Sequence, residues 1–173
     1  MNEKQKSTQD PDPPGRTGGL GPSRSSRARP LAALLACGLA VIVAFHVLLV
    51  AGAPWGAAAY GGSQTGQLPT ELRVASAFQA AFWLLAALTA LSRGGLTTGP
   101  LWSAFSKRAV WVLTAVLVVG AVMNAASSSN WERFGWAPFV LALAILSLRL
   151  ARSPINVPVG IEDAPLPRSN GSI

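Results

Sequence analysis

The polar side chains inside the long apolar stretches are the residues of this chain that could carry chemistry. His46, Ser76, Gln79 and Asn124 each lie within an apolar run, at similar distances from its outer end. Polar groups inside a bilayer are costly and are often functional. One imidazole, one hydroxyl and two amides at similar depth predict a small polar cluster. That cluster either lines a cavity or supplies interhelical hydrogen bonds, each contributing about 0.6–2 kcal/mol to packing.

Ionised groups are not expected in this cluster. Glu71 and Glu132, the acidic residues between the apolar runs, are predicted at the outer membrane edge, whereas a proton-coupled exporter needs a carboxylate inside the membrane. His46 and Cys37 lie far apart on one helix and form neither a bis-histidine haem site nor a metal-ligand set. Since paired carboxylates and a nucleophile–base pair are also missing, we expect no metal, no cofactor and no enzymatic activity.

The two outer turns form a second group of interest. Each carries Trp and Pro at a helix end, and each places an acidic residue near an arginine. The residues of this predicted outer-loop surface are Trp55, Glu71, Arg73, Glu132 and Arg133. They serve either as interface anchors and helix starts, or as an extracytoplasmic recognition surface around a glycine-rich loop.

The elements that position these residues are four apolar runs, each close to the roughly 20 residues that cross a bilayer. We predict transmembrane helices over residues 31–52, 70–92, 107–126 and 133–151, so the fold class is an all-α membrane protein. It is a four-helix bundle of two helical hairpins. The fourth run is the shortest and spans if its helix begins near Arg133. Residues 1–30 and 153–173 are polar or proline-rich and are predicted to be disordered tails.

Charge sets the predicted orientation. The chain has 173 residues, 12% of them charged, and a net charge of +7. Six Lys and Arg precede the first run, three lie between the second and third, three follow the fourth, and each outer turn has one. The positive-inside rule therefore predicts a multi-pass protein of the cell membrane with both termini cytoplasmic. The basic residues flank apolar runs, so the lipid bilayer is the expected partner and nucleic acid is not.

The first run also has to be weighed as a cleavable signal peptide, because arginines precede it and Ala51-Gly52-Ala53 follows it. Signal peptides have apolar cores of about 7–15 residues. The run over residues 31–51 is longer, which favours a retained helix.

Small residues at helical spacing predict helix contacts. Ala36, Ala40 and Ala44 form a small-residue stripe on the first helix. Such stripes let helix backbones approach closely, within one bundle or between protomers. A second stripe runs along the second helix and consists of Arg73, Ser76, Ala80, Trp83, Ala87 and Ala90.

Two blocks carry a resemblance to a known group of proteins. The first is Gly52-Ala53-Pro54-Trp55-Gly56 with Ala59-Tyr60-Gly61-Gly62, Leu68-Pro69, Leu72-Arg73 and Ser76; the second is Asn124, Ser127, Ser129, Glu132-Arg133, Trp136 and Pro138. Over residues 31–152 the chain resembles small, uncharacterised bacterial four-helix integral membrane proteins. The resemblance implies the topology and implies no activity. The Ala-, Gly- and Arg-rich composition is typical of a high-GC actinobacterium.

Two functions remain open from the sequence. The first is a non-enzymatic membrane protein that mediates assembly, as a homo-oligomer or with another membrane protein, through its outer loops and alanine stripes. The alternative is a small oligomeric transporter or permease whose outer-leaflet polar cavity is lined by His46, Gln79 and Asn124.

Overall fold

The computed structural model of the chain describes residues 28–97 and 100–153. This part contains four α-helices and no strand: α1 (Ala28–Val50), α2 (Thr70–Arg93), α3 (Pro100–Ala126) and α4 (Ala137–Ala151). The predicted all-α, four-helix fold is therefore confirmed. Both predicted tails, apart from residues 28–30 and 153, lie outside the described residues.

The helices are long and apolar enough to cross a membrane. The candidate spans are Ala28–Val50, Thr70–Arg93, Arg108–Ala126 and Glu132–Ala151, with mean hydropathies between 1.8 and 2.7. Large apolar side chains face outward on several of them, for example Phe78, Val112 and Met123, which are 74%, 63% and 67% exposed. Exposed apolar side chains have a lower free energy in contact with lipid hydrocarbon than with water. With four helices of spanning length, the chain is therefore a multi-pass membrane protein.

The fourth helix reaches the length of a span because it is extended by a π-helical turn, Glu132–Trp136, before α4. Pro138 has no N–H to donate, and its ring would crowd the carbonyl four residues earlier in a regular α-helix. The wider turn accommodates this proline, and the Ala137 N–H bonds to the Glu132 carbonyl. The helix therefore begins close to Arg133, as the span length requires.

Two hairpins make up the bundle. The main packing partners are α1 with α2 and α3 with α4. Helices α1 and α4 approach closely at Gly38, where an added Cβ would lie 2.3 Å from Leu143 Cδ2. Helices α2 and α3 pack more loosely and leave an open apolar groove of about 360 Å³, lined in part by Phe82 and Val112, which acyl chains can fill.

The small-residue stripe of α2 faces the bundle. Ser76, Ala87 and Ala90 are buried, and Arg73, Ala80 and Trp83 are half-buried. The stripe of α1 is divided. Ala36 is buried, whereas Ala40 and Ala44 are exposed on an outward face that also carries Cys37. Within this chain the three alanines therefore do not form one contact face.

We call the end of the bundle that carries residues 51–69 and 127–131 the loop end, and the opposite end the terminal end. Toward the terminal end, the sequence reasoning missed one buried polar pair. The hydroxyls of Thr114 and Ser147 lie 2.7 Å apart, and Thr114 Oγ1 also donates to the Val110 carbonyl at 2.8 Å. This pair links α3 to α4.

Candidate functional site: the loop-end cavity

A half-open cavity of about 130 Å³ lies between the helices at the loop end, and four polar side chains interrupt its mainly apolar wall. All four helices, the π turn and the first loop contribute to its wall. The lining residues are Ile42, Phe45 and His46 of α1, Ala58 and Ala59 of the first loop, Gln79 and Trp83 of α2, Gly120 and Asn124 of α3, Glu132 and Trp136 of the π turn, and Val140 of α4. The space is large enough to hold water or a small solute.

The cavity brings together three of the four residues of the predicted polar cluster. His46, Gln79 and Asn124 all line it. Ser76, the fourth, does not line it but lies 2.9 Å from the hydroxyl of Tyr60, to which Gln79 Nε2 donates at 3.3 Å. The cluster therefore has two parts, a cavity wall and a hydrogen-bonded group beside it.

Glu132 corrects one part of the sequence-based expectation. It begins the fourth candidate span, in agreement with a place at the membrane edge, but its side chain was expected on an exposed surface and is only 8% exposed and lines the cavity. An acidic residue therefore does join the polar cluster. The π turn places Glu132 on the inner face of the helix start, which the residue spacing alone does not indicate.

The hydrogen bonds of Glu132 connect the two hairpins. Oε1 accepts from the Gly61 N–H at 3.0 Å. The Glu132 N–H donates to Ser129 Oγ at 3.3 Å, and Ser129 Oγ donates to the Ala57 carbonyl at 2.7 Å. Ser129 and Glu132 have the spacing of a capping box, in which the glutamate normally turns back to the cap N–H. Here the carboxylate reaches the first loop instead, and this serine–glutamate spacing was the sequence signal that we overlooked.

Tyr60 is the functional side chain that sequence reasoning missed most clearly. It is the single tyrosine of the chain and precedes two glycines. Tyr60, Gly61 and Gly62 all have positive φ, at 52°, 75° and 70°, a conformation uncommon for a residue with a Cβ. The left-handed turn lets the Tyr60 hydroxyl reach the Leu72 carbonyl at 3.1 Å, as well as the Ser76 and Gln79 side chains. One donor and two acceptor lone pairs match these three partners.

His46 is buried without a partner. Its side chain is 7% exposed and makes no hydrogen bond to a described residue. The Nδ1 atom is buried and has no solvent-accessible surface. A buried polar atom left unpaired costs about 1–3 kcal/mol. Asn124 also lines the cavity, and its side chain makes no hydrogen bond within the described part of the chain. The Asn124 amide therefore retains hydrogen-bonding capacity that the described residues do not use, and the His46 imidazole forms part of the cavity wall.

The predicted outer-loop surface is only partly a surface. Trp55, Glu71 and Arg133 are exposed, and Arg73 is half-buried. Arg73 donates from Nε and Nη2 to the Val50 carbonyl, at 2.9 and 2.6 Å, where α1 ends. Arg133 Nη2 donates to the Ser127 carbonyl at 2.7 Å, just after α3. Both arginines thus compensate carbonyls at or just after helix C-termini.

Aromatic rings form much of the remaining wall. Phe45 of α1, Trp83 of α2 and Trp136 of the π turn line the cavity, and the Phe45 and Trp136 ring centroids lie 4.7 Å apart. None of the described lining residues is Lys or Arg. Within residues 28–97 and 100–153, no group of three or more His, Cys, Asp or Glu could hold a metal ion. The described wall of the cavity thus combines aromatic rings with one carboxylate, one imidazole and two amides.

Comparison of the chain with protein families, curated proteins and solved structures gives no significant match.

Proposed function

We propose that this chain is a small permease that binds a polar solute in the loop-end cavity and moves it across the cell membrane, with an oligomer as its working form. One observation carries the proposal: the Glu132 carboxylate shares a cavity with His46, Gln79 and Asn124 inside a bundle of membrane-spanning helices. Ionisable residues within such bundles are rare, and they mark solute and ion pathways.

The unused hydrogen-bonding groups support binding over a role in packing alone. Residues that only held helices together would pair with one another, as Thr114 and Ser147 do. His46 and Asn124 instead face the cavity without hydrogen bonds to described residues. A bound solute would supply a partner to the Asn124 amide, whereas Nδ1 of His46 has no accessible surface and is not reached from the cavity.

The first loop, residues 51–69, is the proposed lid. Ala58 and Ala59 line the cavity from this loop. The lid contacts the second hairpin through the Gly61–Glu132 and Ser129–Ala57 hydrogen bonds and through Ser128 Oγ, which donates to the Gly61 carbonyl at 3.0 Å. Separating the lid from the second hairpin would break these three hydrogen bonds of about 0.5–1.5 kcal/mol each, while Tyr60 stays bonded to α2 and Leu68 stays packed against Leu49.

The distribution of Lys and Arg supports a definite orientation. With basic residues concentrated before the first helix, between the second and third, and after the fourth, both termini lie in the cytoplasm and the loop end faces outward. The lid then controls access from the extracytoplasmic side.

Flux into liposomes that contain the full-length protein tests the proposal. The probes are tetramethylammonium, erythritol and methanesulfonate, which are cationic, neutral and anionic. We expect at least one to enter faster than into protein-free liposomes, with entry reduced in His46→Ala and Asn124→Ala but unchanged in Glu71→Gln, which alters an exposed carboxylate at the same end. The proposal fails if all three probes enter at the protein-free rate.

Assembly is a second candidate function, favoured by the outward face of α1. Cys37, Ala40 and Ala44 are exposed there, and small residues permit close helix approach. Oxidation of native membranes should link two copies through Cys37. The Ala40→Leu variant should lose this product, while Val119→Leu, a change on the exposed face of α3, should retain it. If no Cys37 cross-link forms in native membranes, self-association through this face is excluded.

A further inference from the structure

The charge and the aromatic walls of the loop-end cavity identify a chemical class of solute. We infer that the cavity binds a small alkylated ammonium ion, held by the Glu132 carboxylate and the rings of Phe45, Trp83 and Trp136. This inference rests on the proposed permease function and makes it more specific.

The charge of the wall favours a cation. Among the described lining residues Glu132 is the only acidic one, and none is Lys or Arg. Oε1 of the carboxylate accepts from the Gly61 N–H, and no described residue donates to Oε2. A cation can therefore approach Oε2, whereas an anion would meet a carboxylate in a site of low dielectric constant.

The neighbouring arginines do not neutralise this carboxylate by direct pairing. Arg73 and Arg133 lie at the loop end, but their guanidinium groups donate to the carbonyls of Val50 and Ser127. Neither residue lines the cavity, and no ion pair to Glu132 occurs among the described residues. The negative charge is therefore available to a ligand.

The aromatic rings favour an alkylated cation over a metal ion or ammonium itself. Tryptophan gives the strongest cation–π attraction, and aromatic walls with a nearby carboxylate recognise alkylated ammonium groups. Hard metal cations instead require several oxygen ligands, and the described residues supply no group of three acidic, His or Cys side chains. The volume of about 130 Å³ limits the ligand to a small ion.

Equilibrium dialysis of the full-length protein in lipid nanodiscs tests the inference. The probe is radiolabelled tetramethylammonium, and the competitors are tert-butanol, a neutral molecule of similar shape, and methanesulfonate. Glu132→Gln removes the charge but keeps an oxygen that can accept from Gly61, and Glu71→Gln is its matched control. Trp83→Leu removes one ring and leaves Glu132 intact. The thermal stability of each variant is measured in parallel.

We expect saturable tetramethylammonium binding to the unaltered protein and to Glu71→Gln, weakened about tenfold or more in Glu132→Gln and in Trp83→Leu. Neither competitor should displace it at equal concentration. Equal displacement by tert-butanol, or unchanged binding in both folded variants, would overturn the cation inference and leave solute binding intact. If tetramethylammonium does not bind while erythritol or methanesulfonate enters liposomes, the cation inference alone fails. If nothing binds or enters, the permease proposal fails as well.

Discussion

The carboxylate of Glu132 and the backbone N–H of Gly61, 71 residues apart in the chain, are joined by a hydrogen bond of 3.0 Å. This contact connects the start of the fourth helix to the lid, and no described residue donates to Oε2 of the same carboxylate. Glu132 therefore has a structural role through one oxygen and a proposed binding role through the other. Substitutions that keep or remove the acceptor oxygen separate the two roles.

Removing the Glu132 side chain should destabilise the protein more than neutralising it. Glu132→Ala leaves the Gly61 N–H without its partner and should lower the free energy of unfolding by about 1–3 kcal/mol. Glu132→Gln retains an acceptor oxygen and should lose less. The measurement is unfolding of the detergent-solubilised protein, followed by circular dichroism. Glu71→Ala, at an exposed position, should change stability by no more than about 0.5 kcal/mol. Equal losses in Glu132→Ala and Glu71→Ala would contradict a stabilising Gly61–Glu132 contact.

The Tyr60 and Ser76 hydroxyls should show energetic coupling. Ser76 is fully buried and lies 2.9 Å from the Tyr60 hydroxyl. Tyr60→Phe and Ser76→Ala each leave one group without this partner, and each should cost about 1–2 kcal/mol. The double variant should cost less than the sum by about 0.5 kcal/mol or more. A double-mutant cycle of unfolding free energies measures this coupling, and strict additivity would show that the two hydroxyls act independently.

The fold was predictable because bilayer thickness sets the length of each membrane-spanning helix. In addition, Lys and Arg are frequent in every second connection, which indicates the side of the membrane on which each connection lies. The four apolar runs predicted the two helical hairpins. The helical spacing of Ser76, Ala87 and Ala90 predicted the face of α2 that packs inside the bundle. The stripe of α1 was not predictable in the same way. That helix is apolar on all sides, so hydrophobicity does not distinguish the buried Ala36 from the exposed Ala40 and Ala44.

The site was only half predictable for a different reason. His46, Gln79 and Asn124 are polar residues in apolar runs, and depth along the helices was enough to group them. Glu132 and Tyr60 depend on backbone geometry that residue spacing does not encode. A π turn places the Glu132 side chain on the inner face of the fourth helix. Three consecutive residues with positive φ orient the Tyr60 side chain toward α2. Both are also fixed by partners distant in sequence, which local patterns cannot supply.

Gly94 should tolerate no side chain where α2 ends against α1. An added Cβ would lie 2.3 Å from the Cβ of Ala32, an atom that cannot move without its backbone. Gly94→Ala should lower stability by about 1–3 kcal/mol, and Ala32→Gly in the same chain should restore part of the loss. The measurement is the thermal unfolding midpoint.

The matched control for this steric prediction is Gly135→Ala. A Cβ there meets no atom within 4 Å, so the change should be neutral or stabilising, because alanine favours helical backbone over glycine. Failure of Ala32→Gly to improve Gly94→Ala would show that a clash with Ala32 is not the cause.

The proposed orientation predicts labelling from opposite sides of the membrane. In a Cys37→Ala background, Ser63→Cys lies in the lid and Thr97→Cys lies at the terminal end, and both positions are exposed. A membrane-impermeant maleimide added to intact cells should label Ser63→Cys only. Thr97→Cys should become labelled after the cells are opened. The reverse pattern would place the loop end in the cytoplasm and contradict the proposed orientation.

The partners of the lid come late in the chain, and this has a consequence for biosynthesis. Ala57 and Gly61 enter the membrane with the first hairpin, whereas Ser128, Ser129 and Glu132 are translated only after α3. An unfinished chain therefore holds His46 and Gln79 in an open half-site that lipid or water can enter. The start of the last helix completes the cavity wall, so a chain that ended before residue 128 would keep three helices but lack the serines and the glutamate that bond to the lid.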